Sequence, residues 1–288
     1  MRLLSVSFQH TVRNPQLLAF GVLIAMLDGQ CIRLGAAVSF DEQRRDDLFR
    51  TLGNLQGDSV IAAASLLVVA ISSYWLLATL AGNWALGALI AGVDSAHGAE
   101  RVDLRTAVRV GIERFWSLSM LGLLNSLPIV LLLGIDAAFG LAALFTRSVV
   151  LETVLLVWLP MALLLGVLVS IVGAIAQVDA VLSDRGPVQG IMHALQLLRR
   201  SPWRLGGSWL LINAVGSIFV VVTAGLVGFL VVPWCIAGGP AECIAACVVL
   251  ALVSLVAGFG VVLHRALWVA VYRDLCVDAP STPSDLPS

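Results

Sequence analysis

Residues 59–93 carry no Asp, Glu, Arg, Lys or His, and neither do residues 205–241. A helix rises 1.5 Å per residue, so the first run alone is about 50 Å long and outreaches a hydrocarbon layer of roughly 30 Å. Backbone amides inside a bilayer must be satisfied within the segment itself, which leaves helices as the natural form for such runs. The composition agrees: 12 % of the 288 residues are charged and 59 % are apolar, with mean hydropathy +0.98. Soluble domains carry about 25 % charge. The chain is therefore expected to be an integral membrane protein.

Formal net charge −1 and a pI near 6.4 lack the concentrated basic excess of a nucleic-acid binder, so no nucleic-acid partner is expected. All seventeen basic residues are Arg, and Lys is absent. That removes Schiff-base chemistry, a Walker-type phosphate lysine and a lysine general base. Arginine instead offers a permanent charge and a planar fork for carboxylate or phosphate.

Six spans are expected, near 15–38, 59–93, 115–135, 153–178, 205–232 and 243–272. The first follows a short amphipathic lead and opens at Asn14-Pro15, a cap followed by proline at the first helical position. A cleaved signal is the competing reading there. Arg2 and Arg13 precede an apolar run, and Gly35-Ala36-Ala37 is small enough to be cut, although Asp28 and Arg33 interrupt the approach. Residues 41–58 read as a surface helix at the membrane interface. Pro128 and Pro160 are expected to kink their helices. Pro233-Trp234-Cys235 and Gly238-Gly239-Pro240 break the long run after 205 into two spans. Residues 1–277 form one membrane domain on this reading, and the Pro/Ser/Asp segment 278–288 a disordered tail.

Basic residues near span ends stay on the cytoplasmic side. With both termini inside, twelve of the seventeen arginines fall there: Arg2, Arg13, Arg101, Arg105, Arg109, Arg114, Arg185, Arg199, Arg200, Arg204, Arg265 and Arg273. The expected location is a bacterial cytoplasmic membrane, crossed six times.

The two large connectors resemble one another. Each long span ends in Val-Asp (Val93-Asp94, Val178-Asp179), passes a glycine turn and enters an amphipathic helix. Each then reaches a basic-plus-Trp segment, with Asn125 or Asn213 nine or ten residues beyond the Trp. The order recurs at about 87 residues, the mark of a parallel internal repeat. The fold class expected is an all-α six-helix bundle with interfacial helices in its cytoplasmic loops.

The opening Arg13-Asn14-Pro15-Gln16-Leu17-Leu18-Ala19-Phe20-Gly21, the Ala88-Leu89-Ile90 end of span two, Arg114-Phe115-Trp116 and the Asp184-Arg185-Gly186-Pro187 turn carry a resemblance. Together they look like a broad group of uncharacterised bacterial six-helix membrane proteins, similar to the membrane domain fused to some glycerophosphodiester phosphodiesterases. The resemblance covers most of the chain and implies fold and membrane location, with no assigned chemistry. Six spans are expected to use up these residues, leaving none for the soluble barrel that would hydrolyse a phosphodiester.

Candidate sites are few. Asp94 and Asp179 stand at the ends of long helices, where the macrodipole disfavours an anion. They are expected to meet arginines such as Arg109, Arg199 or Arg265 in a polar cluster that holds the repeats together, or else to be solvated helix-end carboxylates. Asn83, Asn125 and Asn213 read as interhelical amides or as the lining of a cavity. Asp28, Asp136 and Glu152 fall near span ends opposite the connectors, as hydrated carboxylates unless one faces an interior cavity. Arg101, Arg105, Arg199, Arg200 and Arg204 are placed to touch anionic lipid headgroups. Cys235 and Cys243 flank an external turn and form either a disulfide or two small apolar fillers. The four histidines lack ligand spacing, and no CxxC, HExxH, GxSxG or P-loop occurs, so neither metal nor cofactor is expected. The leading reading is a non-catalytic membrane scaffold, lipid-contacting module or partner subunit, whose partners are membrane lipids and other membrane proteins. A small-molecule or lipid permease is the alternative.

Overall fold

The computed structural model describes residues 2–27, 57–98, 103–146, 149–183, 185–227, 229 and 240–277. These residues are helical throughout apart from short joints. In chain order the helices are α1 (Arg2–Arg13), α2 (Leu17–Leu27), α3 (Gly57–Gly98), α4 (Leu104–Glu113), α5 (Phe115–Thr146), α6 (Val149–Leu182), α7 (Pro187–Arg200), α8 (Pro202–Leu226) and α9 (Pro240–Val277).

Local chemistry sets several starts. The Asp103 carboxylate accepts from the Arg105 amide at 3.0 Å and from the Thr106 hydroxyl at 2.6 Å, capping α4. Proline opens α7, α8 and α9, where its missing N–H is no loss. α3 runs for 42 residues because no proline interrupts it and its acids, Asp58 and Asp94, stand near its ends.

Among the described residues five helices are long and apolar enough to cross a membrane: 76–96 of α3, 115–140 of α5, 153–182 of α6, 202–226 of α8 and 244–276 of α9. The chain thus has the build of a multi-pass membrane protein. The expected first span is described only over the 11 residues of α2. The interfacial helix expected at 41–58 lies outside the described residues except for Gly57 and Asp58, which open α3. The expected tail also lies outside them.

Several helices run a few residues past the expected span limits, and the largest difference among the described residues is in span three. Span three, expected to end at Ile135, continues as helix to Thr146. Residues 136–146 contain no proline and mostly good helix formers. Their single acid, Asp136, accepts a 2.7 Å hydrogen bond from Trp158 Nε1 of α6, which ties it to the neighbouring helix. Pro128 and Pro160 both lie inside helices that continue past them.

α9 is the hub: α1, α2, α3, α6 and α8 all pack on it. The core around it takes Leu89, Ile90 and Val93 from α3, Leu118 and Leu121 from α5, Ile171 and Ile175 from α6, and Val262, Leu267 and Trp268 from α9 itself. The closest approach is between α2 and α9. A Cβ on Gly258 would lie 2.6 Å from the Val22 amide nitrogen, and one on Gly21 would lie 2.3 Å from the Gly258 carbonyl oxygen. Only glycine at both positions lets these backbones meet, as small residues do at membrane helix crossings.

α4 lies on α3, and α7 lies on α6. Both short helices approach through glycine. Gly111 faces Ala88 and the Trp84 carbonyl, and Gly190 faces the Ala176 carbonyl. The ends of α3, α6 and α9 are gathered at one end of the molecule, where α8 begins. Side-chain contacts among those ends make this arrangement.

Candidate functional site

The polar residues of this end form a collar around the last turns of α9. Asp94, near the end of α3, meets Arg273 in a two-pronged contact, Nη2 at 2.5 Å and Nε at 2.9 Å from Oδ1. Arg273 Nη2 also reaches the Asp94 carbonyl at 3.4 Å. One residue earlier on α9, the Tyr272 hydroxyl donates to Oδ1 of Asp179, near the end of α6. The two Val-Asp pairs therefore converge on neighbouring residues of one helix. Val93 and Val178 beside them are buried in the apolar core, which holds each carboxylate at the margin of that core.

Asp179 is fully buried, so its charge needs compensation at short range. Besides Tyr272, Oδ1 has Arg185 Nη1 at 3.5 Å and His193 Nδ1 at 3.3 Å. The imidazole is close but out of line for a hydrogen bond. Ser183 Oγ stands 2.9 Å from the Tyr272 hydroxyl oxygen and extends the chain of polar contacts. Oδ2 has no hydrogen-bond partner among the described residues. It faces Gly190 of α7, where a Cβ would come within 3.8 Å of it. Burial lowers the His193 pKa below its ordinary 6.5, and Arg185 and Arg200 add to the fall, while the Asp179 carboxylate opposes it. The ring is therefore neutral at pH 7. The collar closes with Arg204, at the start of α8, 2.8 Å from Asp274 of α9.

The arginines against the two aspartates are thus Arg273 and Arg185. Arg109 pairs with Glu113 on the outer face of α4 at 2.8 Å. Arg265 donates to Gln177 of α6 at 3.2 Å. Arg199 and Arg200 are exposed in the last turn of α7, and Arg105 is exposed on α4. Arg101 lies outside the described residues.

The amides divide. Asn83 Nδ2 lies 3.5 Å from Ser119 Oγ, between α3 and α5. Asn125 of α5 sits over Gly173 of α6, where a Cβ would lie 2.3 Å from its Oδ1. Asn213 donates to the Trp209 carbonyl at 2.9 Å in its own helix and lines a cavity of about 290 Å³ between α8, α9 and α2. Of the acids near the opposite span ends, Asp136 is the one with a described side chain, held by Trp158.

Cys235 lies outside the described residues, as does the side chain of Cys243, so the expected bridge does too. Among the described residues no three His, Cys, Asp or Glu side chains converge as a metal site.

Tyr272, Ser183, His193 and Arg185 were not singled out in the sequence as partners of Asp179. The available signal was the Tyr272-Arg273-Asp274 triplet, a polar step at the end of a long apolar helix. Chemically the collar is a clamp: one buried and two partly exposed carboxylates, each tied to another helix. No family model, curated protein or solved structure matches this chain, and its site is read from its own geometry.

Proposed function

We propose that this chain is a non-catalytic, six-span protein of a bacterial cytoplasmic membrane that serves as a lipid-contacting scaffold or partner subunit. In this reading α3–α4–α5 and α6–α7–α8 are two parallel repeats docked on α9, with α4 and α7 as amphipathic interfacial helices. The collar end is cytoplasmic, both termini lie there, and the first span completes α2. The same reading keeps the likeness to the membrane domain fused to some glycerophosphodiester phosphodiesterases, which implies fold and membrane location.

The observation that carries it is how little three of the long helices bury. The chain covers 50 % of the apolar window of α3 and 44 % of that of α9, against 12 %, 11 % and 11 % for α5, α6 and α8. Leu123, Leu156, Leu163 and Leu210 are each more than 60 % exposed. Such faces have to be covered by acyl chains or by another membrane protein. Trp116 and Trp203, 77 % and 91 % exposed, stand next to Arg114–Phe115 and Arg204 at the starts of α5 and α8, where interfacial tryptophans and cytoplasmic arginines belong.

The test is native mass spectrometry of the protein released from nanodiscs of phosphatidylethanolamine and phosphatidylglycerol. Retained phospholipid, or a membrane protein recovered in fixed stoichiometry, is the expected result. A reporter fused after Ser288 should read as cytoplasmic, and an external readout overturns the orientation.

The permease reading is favoured by one observation, the cavity beside Asn213 at mid-height of α8 and α9. Proteoliposome flux that stops on Asn213→Leu would select it over the scaffold.

A further inference from the structure

The helix α7 is docked through a thin face. Its buried residues are Gly190, Ala194 and Leu197, two of them with almost no side chain, and Ile191 and Leu198 pack against the core only in part. On the opposite side Val188 and Met192 are more than half exposed. Both flanks leave helical geometry: Gly186 before it has φ −64° and ψ 161°, and Ser201 after it has φ −139° and ψ 60°. A helix set between two such joints can swing against α6 without any helix bending. Among the described residues α7 makes no side-chain hydrogen bond to another helix. Its polar approach to α6 is His193 Nδ1, 3.3 Å from Oδ1 of Asp179.

That approach is unmade. Nδ1 is sealed from water and has no hydrogen-bond partner. The oxygen it faces already accepts from the Tyr272 hydroxyl and has Arg185 Nη1 at 3.5 Å. The charges and titratable groups around the ring come from every side. Asp179 faces it from α6, Arg185 from the joint, Arg200 from α7 itself, and Tyr272 of α9 stands edge-on with ring centroids 6.4 Å apart. α8 brings Arg204, engaged with Asp274, and the one ionisable residue of α5, Asp136, is held at Trp158. A proton on the imidazole would set three cations around a single carboxylate, in a place where burial already opposes charge. Moving the ring into water removes that cost, because a solvated histidine takes a proton readily near pH 6.5.

We infer that α7 is a proton-operated latch: proton uptake by His193 releases α7 from α6 and Tyr272 while the long helices stay packed. Above pH 6.5 the neutral ring leaves α7 docked, and docking weakens as pH falls below that value. Release uncovers Asp179, whose Oδ2 faces Gly190 in the docked state, to the compartment that the collar end faces. The latch goes beyond the scaffold and permease readings, since it is independent of what covers the outer faces of α5, α6 and α8.

The experiment is hydrogen exchange read by mass spectrometry on the full-length protein in nanodiscs, between pH 7.5 and 5.5, with rates corrected for the pH dependence of exchange itself. Peptides from 187–200 report α7, and peptides from 85–96 of α3 and 262–272 of α9 report the core. Opening of α7 should rise at least about threefold over this range, and by no more than about tenfold per pH unit for one proton. The core peptides should not change. His193→Gln removes the titrating group and should leave α7 closed at pH 5.5. His193→Phe does the same while keeping an aromatic ring against Tyr272, so either folded variant decides the matter. A flat α7 profile, a rise that persists in the folded variants, or loss of protection in α7 and the core together overturns the inference.

Discussion

Replacing Gly258 by Ala tests whether α2 is docked on α9 through bare backbone. The added Cβ would stand 2.6 Å from the Val22 nitrogen and 2.9 Å from its Cα, where ordinary contact begins at 3.4 Å. The obstacle is main chain, so no rotamer change relieves it. The helices must part by about 0.8 Å, a gap that forfeits a quarter to a half of each dispersion contact along the crossing. Overpacking of this kind costs about 1–3 kcal/mol, or roughly a 5- to 150-fold drop in the folded-to-unfolded ratio. The control is the same substitution at Gly82 and Gly166, where an added Cβ has no heavy atom within 4 Å. There the better helix propensity of Ala should stabilise by up to about 1 kcal/mol. Unfolding in mixed micelles with rising dodecyl sulfate, followed by tryptophan fluorescence, reads both. Trp84 of α3 packs edge-on against Phe20 of α2 at 6.1 Å and reports the docking directly. Gly258→Ala as stable as Gly82→Ala would refute the close crossing.

Tyr272→Phe removes the hydroxyl that donates to the buried Asp179, and the same unfolding assay should show a loss of about 1.5–3 kcal/mol. A double-mutant cycle of Asp94→Ala and Arg273→Ala should give a coupling of about 0.2–1 kcal/mol that shrinks in high salt, because both side chains are partly exposed. Since burial holds His193 neutral, the unfolded chain binds a proton more readily. Stability should be full above pH 6.5 and fall as pH drops below that value, and His193→Gln should flatten the profile of melting temperature against pH between 7 and 5. Asp103→Ala should lower hydrogen-exchange protection in the first turn of α4 without changing that of α7.

Much of the architecture was legible in the chain because hydropathy acts locally. A charge-free run long enough to span is helical in any bilayer, whatever lies beside it. The long helices α3, α6 and α9 follow the expected runs, and the expected glycine turn stands just before α7 at Gly186, while α8 opens at Pro202, three residues before the expected start of span five. Boundaries were less legible where a tertiary partner rescues a polar residue. Asp136 looks like a helix end until Trp158 of α6 is found to donate to it, and α5 runs on to Thr146. The candidate site divides along the same line. Asp94 and Asp179 stand out by position, as acids where helix dipoles repel them. Their partners do not, because Arg273 lies 179 residues from Asp94 and Tyr272 lies 93 from Asp179, and no spacing rule links them.

The sequence by itself determined the solvent of this protein, its helical class and the residues too polar to be left alone in it. Tertiary structure decided which of those residues answer one another. Charge deficit and apolar run length are sums over neighbours in the chain. The collar on α9, the bare-backbone crossing at Gly21 and Gly258 and the cavity beside Asn213 depend on how separate helices rotate and approach, and that is set by packing all of them at once.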